Sequence, residues 1–205
     1  METGNGMRAR PTLKTVLLAP LFALAGCVSL GAEPPDSLLT LTAETSAPAG
    51  SEQAGTRAEA ILIHEPDVPA AIDVLRVPVQ VTDSEIAYLK DAVWVEKPSR
   101  QFRRLLAETL RVKTNRLVID GDDPALFAEA HLRGTLRRFG YDAASGGVVV
   151  QYDAIRQGQG GKVESRRFEA SESGIAAEAG PVGDALNRAA NTVAREVAEW
   201  IASGS

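Results

Sequence analysis

The sequence contains few cysteine, histidine and aromatic residues. The scarcity of cysteine and histidine excludes classes of function, and the scarcity of aromatic residues limits the composition of the core. Cys27 is the single cysteine among 205 residues, so no disulfide can form within the chain. The two histidines, His64 and His131, do not form the Glu-x-x-His or His-x-x-x-His spacing that zinc enzymes use, and each is interpreted as a structural or solvated residue. Aromatic residues make up 5% of the chain, which predicts a core built from Val, Leu, Ile and Ala.

Other patterns that carry chemistry are also missing. The sequence has no Gly-x-Ser-x-Gly nucleophile elbow. The glycines at 158, 160 and 161 precede a strand-like segment rather than a helix, which predicts a hairpin turn and not a phosphate loop. The aspartates at 120, 122 and 123 lack the twelve-residue spacing of a calcium loop and predict a surface turn. We therefore expect no catalytic residue, no cofactor and no metal site, and a protein that is not an enzyme.

An excess of negative charge argues against a nucleic-acid partner. The chain has 22 basic and 27 acidic residues, a net charge of −5. If residues 1–26 are removed, Arg8, Arg10, Lys14 and Glu2 leave with them, so 19 basic and 26 acidic residues remain and the net charge becomes −7. Binding to phosphate backbones needs a strongly basic face. We therefore expect no nucleic-acid partner.

One basic cluster stands out within this acidic chain. It consists of Arg103, Arg104, Arg111, Lys113 and Arg116. Such a cluster could meet lipid phosphates or an acidic partner. Interspersed acidic residues such as Glu108 favour the simpler interpretation, a solvated face.

The amino terminus has the layout of a bacterial lipoprotein signal. Basic residues precede an apolar run, which ends at Leu24-Ala25-Gly26-Cys27. This pattern predicts a signal peptide over residues 1–26 and cleavage before Cys27, whose thiol is diacylglycerylated and whose new amino group is usually acylated, for example with palmitate. Two or three chains on one residue would hold the protein stably on a membrane.

The alternatives to a lipoprotein signal fit less well. The segment Val16 to Ala23 is too short for a transmembrane helix and contains Pro20. A start at Met1 or at Met7 leaves the basic residues, and so the interpretation, in place. Val28 follows the lipidated cysteine where aspartate commonly retains lipoproteins in the inner membrane, which favours attachment to the outer membrane, facing the periplasm.

Beyond Cys27 the sequence predicts a tether and one folded domain. Residues 27–36 are small and contain Pro34-Pro35, and nine extended residues reach about 30 Å. Residues 37–203 form the domain, in which residues 43–58 are rich in Ser, Ala, Gly and Thr and predict a mobile loop.

Hydrophobic periodicity within the domain predicts an α+β fold. Helices are expected from Pro98 and from Pro181, each with an apolar stripe at helical spacing. Alternating or short apolar runs predict strands at 38–42, 60–64, 76–81, 85–96, 117–119, 128–136, 148–155 and 163–170. The alternation in 128–136 breaks at Arg138-Phe139, which predicts a bulge or the end of that strand. These elements predict a two-layer fold: a largely antiparallel sheet with two main helices on one face.

The order of these segments resembles the ABC-type transport auxiliary lipoproteins, a family similar to paraquat-inducible protein C. The lipobox is its sharp feature, and the remaining features are diffuse. One departure is that the family often has a tyrosine where this chain has Leu39. The segments that carry the resemblance are Cys27, Leu39-Thr40-Leu41, Ala71-Ile72-Asp73 before Arg76-Val77-Pro78-Val79, Trp94 before Glu96-Lys97-Pro98, and the last helix ending Glu199-Trp200-Ile201.

The resemblance implies a non-catalytic role in lipid movement between two membranes. It implies partners, namely an ABC permease, its ATPase and a mammalian-cell-entry (MCE) domain protein, and it implies homo-oligomers. One alternative is a lipoprotein that activates a cell-wall synthase, a penicillin-binding protein, for which the tether is short. Another is a hydrolase, which would need a nucleophile beside His64 or His131 in a cleft.

Overall fold

The structure, a computed structural model, describes residues 1, 36–114, 116–121 and 127–204. Residues 2–26 of the predicted signal peptide lie outside the described residues, as do Cys27 and, in the predicted acidic turn, Asp122 and Asp123. Residues 35–205 form one compact unit.

The described chain contains seven strands and two α-helices. The strands are β1 (Ile61–Ile63), β2 (Arg76–Thr82), β3 (Glu85–Val93), β4 (Val118–Asp120), β5 (Ala130–Asp142), β6 (Gly147–Gln157) and β7 (Val163–Ser173). The helices are α1 (Pro98–Lys113) and α2 (Ala179–Ala202). A short 3-10 turn at Gln159–Gly161 joins β6 to β7, as the glycines predict, and Gly160 and Gly161 have φ of 72° and 77°. The α+β prediction is confirmed.

The seven strands form one mixed sheet around β5. One edge of β5 pairs along its whole length with β6, which pairs with β7, and both pairings are antiparallel. The other edge is shared, because the first residues of β5 pair with β1 and its last residues pair with β2. These two pairings are parallel, as is the pairing of β1 with β4. The long ladders are antiparallel as predicted, and the parallel pairings are short additions.

Both helices cover the same face of the sheet and contact each other. Alternate residues of β5 and β6 point to this face, where Tyr152 contacts Phe102 of α1 edge to face and Phe168 of β7 lies beside Trp200 of α2. The alanines of α2 bring that helix close to the sheet, as its sequence predicts. The largest fully buried side chains are Trp94, Tyr152, Phe102, Phe139, Ile61, Ile63, Leu106, Leu110, Leu132, Leu136, Leu186 and Gln101.

Several predicted boundaries differ in the structure. The strand expected at 38–42 is a single bridge between Leu39 and Trp94. The strand predicted at 128–136 continues to Asp142 through a register shift between Leu136 and Arg138, so the break in alternation marks a bulge and not an end. The strand after residue 84 ends at Val93 rather than at residue 96.

Residues 39–47, called here the strap, lie in the groove between the two helices. Leu41 N–H donates to Gln101 Oε1 at 2.8 Å and Ala47 N–H to Glu108 Oε1 at 2.7 Å, both on α1. On α2 the acceptors are Asn187 for Thr42 and Asn191 for Glu44, and Asn191 Nδ2 donates back to the carbonyl of Thr42. Later residues of the strap bond to later residues of both helices, so α1 and α2 run in the same direction.

The segment predicted as a mobile loop, 43–58, is thus fastened to the helices at its beginning. It contains no helix or strand, as expected, yet Gln53 Nε2 also reaches the carbonyl of Arg111 at 3.0 Å. The strap part of this segment is hydrogen-bonded to both helices, which the sequence did not indicate. Its backbone groups are satisfied by side chains, which a search for strand periodicity does not detect.

Candidate functional site

The two histidines of the sequence meet on the face of the sheet away from the helices. His64 Nε2 and His131 Nδ1 are 2.9 Å apart, and the rings stack with centroids separated by 5.2 Å. The parallel pairing of β1 with β5 brings them together. Sequence reasoning treated each as a lone histidine because register between distant strands cannot be read from spacing.

The histidine pair lacks the surroundings of a hydrolytic site. His131 lines a cavity, but no Ser, Thr or Cys is among the described residues that line it. The contact of its Nδ1 is to another imidazole, not to a carboxylate that would orient it. In the described part of the chain, no group of three or more His, Cys, Asp or Glu residues is placed to hold a metal ion.

The basic cluster of the sequence is mostly neutralised by carboxylates. Arg103 Nε lies 3.3 Å from Asp120 Oδ1, with both side chains largely buried. Arg104 pairs with Glu96, and Arg111 with Glu108 at 3.0 Å. The solvated-face interpretation therefore holds for Arg104, which is half exposed, while Arg103 and Asp120 form an internal ion pair between α1 and β4.

Arg116, the last residue of this cluster, differs from the others. Its side chain is partly buried, and its Nε donates to the main-chain carbonyl of Glu59 at 3.0 Å. Desolvation by burial lowers the pKa of its guanidinium. Among the described residues, no carboxylate forms an ion pair with Arg116.

A cavity of about 600 Å³ opens beside Arg116, at the end of the molecule where both helices finish. It lies between the loop before β1, the start of β5, the end of β6 and the last residues of α2. Its walls contain both charged and apolar side chains. Its charged and larger apolar lining residues include Glu59, Ile61, Arg116, Leu117, Arg156, Lys162, Glu164 and Ile201.

The end of the domain opposite the cavity, which lies next to Leu38, exposes apolar side chains. Leu39 N–H donates to the carbonyl of Val93, Val95 N–H to Leu39, and Trp94 N–H to Leu75. These bonds hold Leu38, Leu75 and Val95 around one point, with exposed fractions of 51%, 44% and 53%. We call these three residues the tether-end patch. The sequence did not predict it, because the three residues belong to separate segments.

The outer face of β5–β7 carries a compact charge arrangement. Asp153 accepts hydrogen bonds from Arg167 at 2.6 and 2.8 Å and from Arg137 at 2.9 Å. These bonds, that from Arg167 above all, lower the pKa of the Asp153 carboxyl to about 2. The arrangement links three strands through two guanidiniums that share one carboxylate.

None of the helices in the described part of the chain is long and apolar enough to cross a membrane. The described residues form an α+β domain with a fastened strap and a cavity at one end.

Solved structures share this fold. The crystal structure of protein XCC0632 from Xanthomonas campestris is 17% identical, with a TM-score of 0.66, and the match covers 82% of this chain and 95% of that chain. A crystal structure of an uncharacterized protein is also 17% identical, with a TM-score of 0.62, covering 73% of this chain and 96% of the other. A search of curated proteins gives no match.

Sequence comparison places the chain in a family. The ABC-type transport auxiliary lipoprotein component family matches residues 39–198, from the strap to the last turns of α2. The chain belongs to this family, and the resemblance drawn from the sequence is confirmed. Its family is therefore that of an auxiliary lipoprotein component of an ABC transport system.

Proposed function

We propose that the protein is a lipid-anchored, non-catalytic accessory subunit of an ABC/MCE-type system that moves lipids between two membranes. Membership of the auxiliary lipoprotein family carries this proposal. The predicted lipidation of Cys27 would hold the domain on the periplasmic face of the outer membrane. Its partners would be an MCE-domain protein and, through it, the ABC permease and ATPase.

The strap limits how far the domain can extend from its lipid anchor, which supports a role close to the membrane. Because Leu39 is bridged to Trp94 and the strap is bonded to both helices, residues 43–58 add nothing to the reach of the tether. The predicted tether beyond Cys27, residues 28–36, would span about 30 Å when fully extended. A cell-wall synthase activator must reach through peptidoglycan, so this short reach favours the transport role.

The tether-end patch supports a defined orientation. The tether-end patch lies just after the predicted tether in the chain, so a lipidated Cys27 would hold the patch close to the bilayer. Apolar side chains at such a place gain free energy by entering the interfacial region. We propose that this end faces the membrane and that the cavity end faces the periplasm.

The test is co-purification from the native host. The protein is tagged at its carboxyl terminus, extracted in mild detergent and isolated, and an MCE-domain protein is expected in the eluate. An unrelated tagged domain carrying residues 1–38 serves as the control for the anchor alone. Repeated absence of an MCE-domain protein, or recovery of a penicillin-binding protein whose synthase activity rises, would contradict the proposal.

Self-association is part of the proposal, because the family resemblance implies homo-oligomers. Light scattering on the chain from residue 28 would give a mass that is a multiple of the monomer's. A single-chain mass at all concentrations tested would restrict the proposal to a monomeric subunit.

A further inference from the structure

Arg116 is a partly buried cation of the basic cluster that has no ion pair with a carboxylate among the described residues. Arg103, Arg104 and Arg111 each lie beside an acidic side chain, whereas the bond from Arg116 Nε goes to a neutral carbonyl. A guanidinium has five donors, so groups remain available to an acceptor in the cavity. Burial also disfavours its charged form, and a bound anion would remove that penalty.

The other charges of the cavity are arranged so that one positive charge remains in excess. Glu164 is shared by two cations, Arg156 at 2.8 Å and Lys162 at 3.3 Å. The carboxylate of Glu59 accepts bonds from the main-chain N–H and the hydroxyl of Thr56. Among the described residues that line the cavity, three cations therefore face two carboxylates, in a chain whose net charge is −5.

The wall beside these charges is apolar. Ile61 and Ile201 are almost fully buried and, with the partly exposed Leu117, line the same cavity. A cavity of this size accommodates a small ligand rather than a folded partner. Cationic and apolar groups side by side fit an amphiphile with an anionic head.

We propose that this cavity binds the phosphate-bearing head of a glycerophospholipid, with the Arg116 guanidinium donating to the phosphate oxygens. The glycerol backbone and first methylene groups would lie against the partly exposed Leu117. This inference rests on the proposed function and assigns its cargo to a site at the membrane-distal end. The chemistry recognised is a phosphate ester, which a lipid head or a free phosphate can supply.

Binding can be measured on residues 28–205, because all buried core residues and the strap that packs on them lie between Leu39 and Ile201. Amide NMR shifts are followed during titration with three probes: inorganic phosphate, sn-glycerol 3-phosphate and dihexanoylphosphatidylglycerol below its micelle concentration. The expected order of affinity is lipid, then glycerol phosphate, then phosphate. The shifted amides should include those of Arg116, Leu117 and Ile201.

Substitutions at Arg116 and Arg104 distinguish binding in this cavity from a general effect of surface charge. Arg116→Gln should weaken binding of the lipid about tenfold, as expected when one charge-assisted hydrogen bond is lost. Arg116→Lys should retain part of the affinity, because it keeps the charge but not the fork of donors. Arg104→Gln, in the same cluster but paired outside the cavity, should bind as the unsubstituted chain does.

Three results would overturn the inference. These are equal affinity of the Arg116→Gln and unsubstituted chains, no shift of cavity amides with any phosphate probe, and tighter binding of a hexaglutamate peptide than of the lipid. The last result would assign the cavity to an acidic protein segment. Tighter binding of free phosphate than of lipid would overturn the lipid assignment alone. Co-purification with the MCE-domain protein needs none of these results, so the two proposals can fail separately.

Discussion

Tyr152 lies against the backbone of β5 because residue 134 is a glycine. The ring is buried, and its hydroxyl donates to the carbonyl of Arg133 at 3.0 Å. Burial raises the pKa of Tyr152, so the hydroxyl stays protonated and continues to donate. A Cβ at Gly134 would stand 2.3 Å from the carbonyl oxygen of Asp153 and 2.6 Å from the Tyr152 ring.

Gly134→Ala is therefore expected to destabilise the domain by about 3 kcal/mol, because neither the strand carbonyl nor the buried ring can move freely. Urea denaturation of residues 28–205 measures the free energy of unfolding. Gly180→Ala is the matched control, since a Cβ there meets nothing within 4 Å. Its effect should stay within about 1 kcal/mol of zero. Equal effects of the two substitutions would contradict the packing described.

At the scale of elements, the strap is held by side chains in place of a neighbouring strand. Asn191, buried in α2, accepts from Glu44 N–H at 2.8 Å and donates to the Thr42 carbonyl at 2.9 Å. One amide side chain thus satisfies a donor and an acceptor, as a paired strand would. Leu39 fits the same groove because Gly183 has no side chain, and a Cβ there would lie 2.6 Å from it.

Asn191→Leu should release the strap, because it leaves two backbone groups without partners. The expected cost is about 2 kcal/mol, with faster amide exchange at residues 42 and 44. Asn191→Asp keeps the acceptor for Glu44 but loses the donor to the Thr42 carbonyl, so it should reduce protection less than Asn191→Leu does. Glu199→Leu, on the exposed side of the same helix, controls for the change in polarity. Unchanged exchange in Asn191→Leu would show that the strap does not depend on this amide.

Over the whole molecule, the two tryptophans mark opposite ends. Trp94 lies beside the tether-end patch, and Trp200 lies near the cavity end of α2. From Gly183, which meets Leu39 of the strap, to Trp200 the helix rises about 26 Å at 1.5 Å per residue. The chain has only these two tryptophans, so their fluorescence reports each end separately.

If the tether end faces the bilayer, brominated phospholipids should quench Trp94 and spare Trp200. The measurement uses the lipidated protein in vesicles, with Trp200→Phe to observe Trp94 and Trp94→Phe to observe Trp200. The full chain carrying Cys27→Ser, expected to stay folded and to leave the membrane fraction, is the control without an anchor. Equal quenching at both ends would contradict the proposed orientation, and stronger quenching of Trp200 would reverse it.

Much of the fold follows from local pattern, and most of the candidate site does not. The apolar spacing in 102–110 and the alternation in 128–136 predict α1 and β5 because each buries a single face. The strap was missed as a packed element because it has no strand or helix period. The cavity was missed because Arg116, Arg156 and Ile201 come from segments far apart in the chain.

The sequence by itself determined the class of fold, the family resemblance and the predicted lipid attachment at Cys27, because these depend on periodicity and on a short contiguous motif. Only the tertiary structure decided which charges are paired. Arg103 and Arg116 look alike in the sequence, yet one lies beside Asp120 and the other lines the cavity without a carboxylate among the described residues. The neutralisation of a charge depends on distances of a few ångströms between separate elements, and these distances exist only after the chain has folded.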